Sequence, residues 1–238
     1  MMTLLRSILF TAILFASVVP HSIFVVLTWP FGYRARYWVM MFWPRSIIWL
    51  CKSICGLDYA VEGQHNIPDV NSVVLLKHSS TYETIVQFVL FPRQTWVLKR
   101  ELMWAPFLGW ALATLRPIAI NRGAHRAAVQ QVIDKGKQSL ADGLWIMIFP
   151  EGTRMKPGST RTYGLSGTLL AQESGRLLVP VAHNAGDFWP RRGLRKRPGT
   201  VQFSIGPAVD PRGRDPREVN AELQNWVETK VAELRQSN

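Results

Sequence analysis

A chain of 238 residues holds one α/β domain with a modest extension. Its 47% hydrophobic content excludes a disordered basic tail, while 28 Lys and Arg against 16 acidic residues (formal charge +12) call for an anionic partner, nucleic acid or a membrane surface. The two cysteines, Cys51 and Cys55, would share one face of a helix, which suits neither a disulfide framework nor, without a second Cys/His cluster, a zinc site. They read as buried or lipid-facing thiols in a reducing compartment.

Residues 8–28 form an apolar run close to the ~20 residues that a membrane span requires. Pro20-His21-Ser22 in its middle offers a second reading, a shallow hairpin that turns back. More hydrophobic sequence follows, which argues against a cleaved signal peptide. Trp29, Trp38, Trp43 and Trp49 flank or follow the run and mix with Arg34, Arg36, Arg45 and Lys52, the pattern of an interfacial segment whose cations meet lipid phosphates. This placement favours a membrane over nucleic acid. The positive flank puts the rest of the chain on the cytoplasmic face, the inner membrane if the source is bacterial. Residues 1–56 are thus expected to be membrane-anchoring helices and 57–238 the α/β domain.

From Ser72 onward strand and helix patterns alternate. Strands are predicted at 73–77, 95–99, 116–120, 144–149, 178–182 and 200–205. The clearest helix covers about 125–141, with Val129, Val132, Ile133 and Leu140 on one stripe. The last begins at Asp215-Pro216-Arg217-Glu218, an N-cap, a proline at the first helical position and a glutamate at the third. The alternation predicts an α/β fold with a mostly parallel central sheet flanked by helices.

Two segments carry the chemistry. Lys77-His78-Ser79-Ser80-Thr81-Tyr82-Glu83 ends the first predicted strand, and Phe149-Pro150-Glu151-Gly152-Thr153-Arg154 ends the fourth. Open α/β sheets collect their sites at that edge. His78 is a candidate general base and Glu83 a carboxylate to orient it. On one continuous helix the two would point about 140° apart, so a strand–turn–helix context is needed. The competing reading makes Ser80-Thr81-Tyr82-Glu83 a capping box and His78 an ordinary loop residue. Arg154 offers a guanidinium that can fork a phosphate, and Lys99 and Arg122 end two further strands, so the three cations converge on one edge.

In these blocks the chain resembles the glycerolipid acyltransferases that esterify 1-acylglycerol-3-phosphate (lysophosphatidic acid). The blocks fall in order: His78 and Glu83, then Lys99-Arg100-Glu101-Leu102, Pro106-Phe107-Leu108-Gly109, Ile120-Asn121-Arg122, Phe149 to Arg154, and Val179-Pro180-Val181. The resemblance covers about residues 57–210. It implies transfer of a fatty acyl group from acyl-CoA or acyl carrier protein to the sn-2 hydroxyl, forming phosphatidic acid. His78 would be the base and Glu83 its orienter. Arg122, Glu151, Gly152, Thr153 and Arg154 would hold the acceptor, Glu151 through a hydroxyl, and Lys99 would face the oxyanion. It implies no metal, no cofactor besides the acyl donor, and no acyl-enzyme. Gly164-Leu165-Ser166-Gly167-Thr168 fails the nucleophile-elbow pattern at Thr168.

Two positions depart from the family. Glu83 stands where Asp is usual, and Lys77 where Asn is common; Lys77 is expected to lower the imidazole pKa or to signal another headgroup. Alternatives are an acyltransferase for another lysolipid, such as a lyso-ornithine lipid or lysophospholipid, and a non-catalytic lipid-binding homologue. The run Arg191-Arg192-Gly193-Leu194-Arg195-Lys196-Arg197 reads either as a solvated loop or as a surface for anionic headgroups, acyl carrier protein or CoA phosphates. His125 and His183 receive no role, and the sequence does not fix oligomeric state.

Overall fold

The computed structural model describes residues 1–236, other than the side chains of Arg122 and His125. It opens with two long helices, α1 (Met2–Leu27) and α2 (Gly32–Leu50). Pro20 lies inside α1 without ending it, so residues 20–22 do not turn the chain. The reversal comes at 28–32, where Gly32 adopts φ 83°. α2 then returns along α1: Trp43 Nε1 donates to Ser17 Oγ at 3.0 Å, and His21 stacks on Trp43. A wide π-helical turn, Cys51–Cys55, buries both free thiols before the first strand.

Seven strands form one sheet: β1 (Leu57–Glu62), β2 (Val73–Leu76), β3 (Gln94–Lys99), β4 (Ile118–Ile120), β5 (Trp145–Ile148), β6 (Leu178–His183) and β7 (Gly199–Ile205). Their spatial order is β1-β7-β6-β2-β5-β3-β4, parallel throughout except for the β6–β7 pair. The helices are α3 (Tyr82–Leu90), α4 (Leu108–Thr114), α5 (His125–Ala141), α6 (Ser166–Ser174), α7 (Ala185–Phe188) and α8 (Pro216–Gln236). The mostly parallel sheet flanked by helices is as the alternation predicts. β1 is an added edge strand whose mixed burial gives little apolar signal. β4 starts two residues later than expected, because Arg116 takes φ 55°, a left-handed conformation incompatible with a strand.

Alternation along the central strands sorts their side chains onto two cores. Val74 and Leu76 of β2 and Trp145 and Met147 of β5 join the core beneath α1, α2 and α3. Val73, Leu75, Ile146 and Ile148 join the core beneath α5, α6 and α8. Such strands are buried on both faces, hence their continuous apolar runs. The same parity carries past the end of β2: His78 continues the Val74–Leu76 face and Lys77 the Val73–Leu75 face.

α1 lies alongside the α/β domain over its whole length. Near its start Ser7 Oγ accepts the Lys196 backbone N–H at 2.9 Å, and near its end Val25 is buried in the core. Its outer stripe stays exposed: Leu5, Leu9, Phe15, Val19, Ile23 and Leu27. Trp104 and Trp110, beside and within α4, are exposed as well. Among the described residues α1 is the one helix long and apolar enough to cross a membrane.

Candidate active site

β2 ends in a turn that delivers His78 and then the first turn of α3, which delivers Glu83. The imidazole Nδ1 lies 2.9 Å from Glu83 Oε1. The same oxygen accepts the backbone N–H groups of Ser79 at 3.1 Å and Ser80 at 2.9 Å, while Ser80 Oγ accepts the Tyr82 N–H at 3.0 Å. The capping reading and the histidine–carboxylate reading therefore hold together: Glu83 caps the start of α3 and grips His78 with one oxygen. Glu83 is fully buried. Burial alone would raise its pKa, but the His78 hydrogen bond and the Ser80 N–H outweigh it and hold the carboxyl below its ordinary value. An ionised carboxylate only accepts, so Nδ1 carries a proton toward Glu83. Phe149 fixes the ring plane by stacking at 3.9 Å between centroids.

His78, Lys99 and Arg154 line one cleft of about 640 Å³, together with Gln87, Phe88 and Trp96. Phe88, Trp96 and Leu112 are shared with a smaller apolar cavity of about 100 Å³ that reaches between α1 and α4 past Val18, Val25 and Met40. Polar chemistry and an apolar channel thus meet at the side chains of α3, β3 and α4. Lys99 is exposed, its Nζ 3.5 Å from Glu101 Oε1. Arg154 is half-buried, and its carbonyl accepts Arg191 Nη1 at 2.9 Å.

The remaining predicted residues are placed differently. Glu151 is buried behind the site and not in the cleft wall: Oε1 accepts Lys77 Nζ at 2.7 Å, and Oε2 accepts the His78 backbone N–H at 2.8 Å. Burial pushes its carboxyl up to about 7, against the downward pull of Lys77 and the His78 N–H. Gly152, at φ 67°, makes the turn after Glu151, with its N–H donating to Phe149 O at 2.9 Å; Thr153 follows, half-buried. The Arg122 side chain lies outside the described residues, although its backbone follows β4 at the expected edge. The Lys77 ammonium is not beside the imidazole, since strand alternation sends it to the opposite face.

Three contributors carried no role in the sequence reading. Gln87 sits one helical turn after Glu83 on α3, a spacing that signals a shared face. Phe149 belongs to a recognised block, but its stacking depends on the separation of β2 and β5. His183 is buried at the end of β6, donating from Nε2 to Lys77 O at 2.7 Å while Nδ1 accepts the Ala185 N–H at 3.1 Å. Burial lowers its pKa, which suits that neutral tautomer. Among the described residues no group of His, Cys, Asp and Glu could hold a metal ion.

The acyltransferase family profile matches residues 58–184, which hold His78, Glu83 and every cleft residue named above. A 1-acyl-sn-glycerol-3-phosphate acyltransferase of Pseudomonas aeruginosa is 43% identical over 97% of this chain and 91% of its own length. The human 1-acyl-sn-glycerol-3-phosphate acyltransferase alpha is 28% identical over 74% of this chain and 64% of its own. The fold matches the crystal structure of the 1-acyl-sn-glycerophosphate (LPA) acyltransferase of Thermotoga maritima, with a TM-score of 0.80 at 23% identity, covering 98% of this chain and 96% of that one. The chain is therefore an enzyme of the acyltransferase family, in the branch of the 1-acyl-sn-glycerol-3-phosphate acyltransferases.

Proposed function

We propose that the protein moves a fatty acyl group from a thioester, acyl-CoA or acyl carrier protein, to the sn-2 hydroxyl of 1-acylglycerol-3-phosphate, working from the membrane surface. The observation that carries this reading is His78: its Nδ1–H is committed to an ionised, buried Glu83, and its ring borders a cleft that Arg154 and Lys99 also line. Nε2 takes the hydroxyl proton as the oxygen attacks the thioester carbonyl. The tetrahedral intermediate collapses by breaking the carbon–sulfur bond, and the departing thiolate takes the same proton back from the imidazolium. Glu83 stabilises that imidazolium. Arg154 and Arg122 bind the acceptor phosphate as forked donors, and Lys99 faces the oxyanion. Gly152 and Thr153 form the turn that leads to Arg154 and so act on the acceptor through it. Glu151 supports the His78 backbone, so the acceptor's hydroxyl is held by other groups. The donor chain passes Phe88, Trp96 and Leu112 into the apolar cavity.

The membrane reading rests on α1. A helix docked along the domain at both ends, with Leu5 to Leu27 exposed on its outer stripe, suits an interfacial position with its apolar face in one leaflet. Trp104 and Trp110 extend that face to the cleft side.

The test is acyl transfer by detergent-solubilised protein, with labelled acyl-CoA or acyl carrier protein and a panel of lysolipids. Lysophosphatidic acid is expected to react selectively, and His78→Ala to abolish the reaction while preserving vesicle binding. Selective turnover of a lysolipid lacking phosphate would overturn the acceptor assignment; silence with both donors would overturn the reaction.

A further inference from the structure

The family profile ends at residue 184, yet one of the two carboxylates that pair with Lys77 behind His78, Glu228, comes from α8, beyond that boundary. Lys77 Nζ, on a side chain only 3% exposed, lies 2.7 Å from Glu151 Oε1 and 2.7 and 2.9 Å from the two oxygens of Glu228. It also donates to Ser159 O at 3.1 Å. Glu228 Oε1 accepts the hydroxyls of Thr160 at 2.9 Å and Tyr163 at 3.0 Å. One ammonium thus ties three pieces of chain together: the end of β2, the turn after β5, and α8.

The geometry places this cluster against the catalytic residue from the far side of the strand. Glu151, gripped by Lys77 through Oε1, uses Oε2 to hold the His78 N–H at 2.8 Å. The His78 carbonyl accepts the Met155 N–H at 2.7 Å, so the same loop holds the catalytic peptide unit at both ends. Lys77 O in turn accepts from His183 on β6. Lys77 and His78 are neighbours pointing to opposite faces, so a backbone rotation that relaxes one re-aims the other.

We propose that Lys77 is a positioning residue for acyl transfer: bridging Glu228 to Glu151, it sets the carboxylate that fixes the His78 backbone and so aims the imidazole into the cleft. This rests on the reaction proposed above, and it makes α8 part of the catalytic apparatus although α8 lines none of the cleft. The expected signature is a loss in kcat with KM preserved, because Lys77 touches neither acceptor nor donor.

The experiment compares Lys77→Met, Glu228→Gln and the double variant, with Glu222→Gln as a control on the same helix, where Glu222 pairs with Arg214 at the surface. Two readouts are taken: steady-state transfer and amide hydrogen exchange of peptides covering 77–83 and 149–155. Lys77→Met is expected to lower kcat on the order of 10- to 100-fold, the scale of a small misplacement, with both KM values within about twofold. Glu228→Gln, whose side chain is 24% exposed and tolerates the change, is expected to lower kcat about threefold. In both, exchange at 77–83 rises, and the double variant loses less than the product of the singles because the two act through one contact. Glu222→Gln changes neither readout. Unchanged exchange in both single variants, or a KM rise matching the kcat loss, would overturn the proposal. The exchange measurement needs no substrate. If the wild type transferred no acyl group, the reaction would be refuted and exchange alone would decide whether Lys77 holds the His78 peptide.

Discussion

Replacing Glu83 by Gln separates the charge of the dyad from its geometry. Glu83 Oε1 accepts three donors, the His78 ring and the N–H groups of Ser79 and Ser80, whereas Oε2 has no hydrogen-bond partner among the described residues. An amide NH2 cannot sit where three donors converge. The carbonyl oxygen of the substituted side chain must therefore occupy the Oε1 position, and His78 keeps its Nδ1–H tautomer. What disappears is the negative charge facing the imidazolium. Two unit charges about 4 Å apart at an effective dielectric of about 20 attract by about 4 kcal/mol. The neutral hydrogen bond that remains retains about 1 to 1.5 kcal/mol of that. The difference, about 2.5 to 3 kcal/mol, corresponds to a loss in kcat on the order of 100-fold with KM preserved. The NH2 takes a buried position without an acceptor, so the melting temperature should fall by the equivalent of about 1 to 3 kcal/mol. Steady-state kinetics beside thermal denaturation test both statements. A kcat loss under threefold would refute the charge role. A loss beyond about 10⁴-fold in a folded protein would refute the retained tautomer.

The pH dependence of stability should carry two opposite signatures. Glu151, raised from its ordinary value to about 7, contributes stability that is fully present below about 4.5 and lost as pH rises through 7, worth about 3 kcal/mol; Glu151→Gln should flatten denaturant-derived stability between pH 5 and 7.5, and an unaltered slope would contradict the burial argument. Glu83, held low, contributes stability present above its unfolded pKa and lost as pH falls through its folded one, which acid unfolding of wild type and Glu83→Gln should reveal as a difference confined to acidic pH. Gly152→Ala meets no atom within 4 Å of the new Cβ, so only its φ of 67° opposes it, at about 1 kcal/mol; a larger KM for the acceptor, beyond that small drop in melting temperature, would locate substrate against this turn, and an unchanged KM would remove Gly152 from the acceptor side. Phe15→Ser with Ile23→Ser on the exposed stripe of α1 should weaken flotation with anionic vesicles roughly tenfold or more while leaving the fold intact, and undiminished flotation would refute the interfacial position of α1.

The parts legible in the sequence are those decided locally. The α5 stripe and the start of α8, where Asp215 Oδ1 accepts the Arg217 N–H at 2.7 Å, need only periodicity and a cap. The strand-end blocks carrying His78 and Arg154 are local too, a short apolar run followed by a turn. Illegible were contacts that exist only once distant pieces pack. Lys196 reads as one of five cations on a basic loop, but α1 covers it. Its ammonium donates to Thr11 and to Leu194 O and sits 4.7 Å from the Trp189 ring, while Arg191, Arg192, Arg195 and Arg197 remain exposed. Glu228 reads as one more charge on an amphipathic helix, and nothing within α8 announces Lys77. The edge strand β1 was masked by Asp58 and Glu62, which an edge tolerates because one side faces solvent.

Glu83 and Glu151 show why residue type alone does not assign roles at such a site. Both are buried glutamates within hydrogen-bonding reach of His78, and burial pushes the pKa of both upward. Glu83 faces the ring and two backbone N–H groups with a single oxygen, and the His78 hydrogen bond, the nearby His183 and the Ser80 N–H carry it below its ordinary value. Glu151 shares its one cation with Glu228, whose charge opposes its ionisation, and it stays near 7. At neutral pH only Glu83 is therefore fully ionised, and only Glu83 touches the ring nitrogen. A carboxylate whose two oxygens are taken by the Lys77 ammonium and the His78 N–H does not face the ring, but it can hold the backbone beneath it. The two environments push the paired carboxyls apart, which fits the proposed division, Glu83 beside the base and Glu151 beneath its backbone.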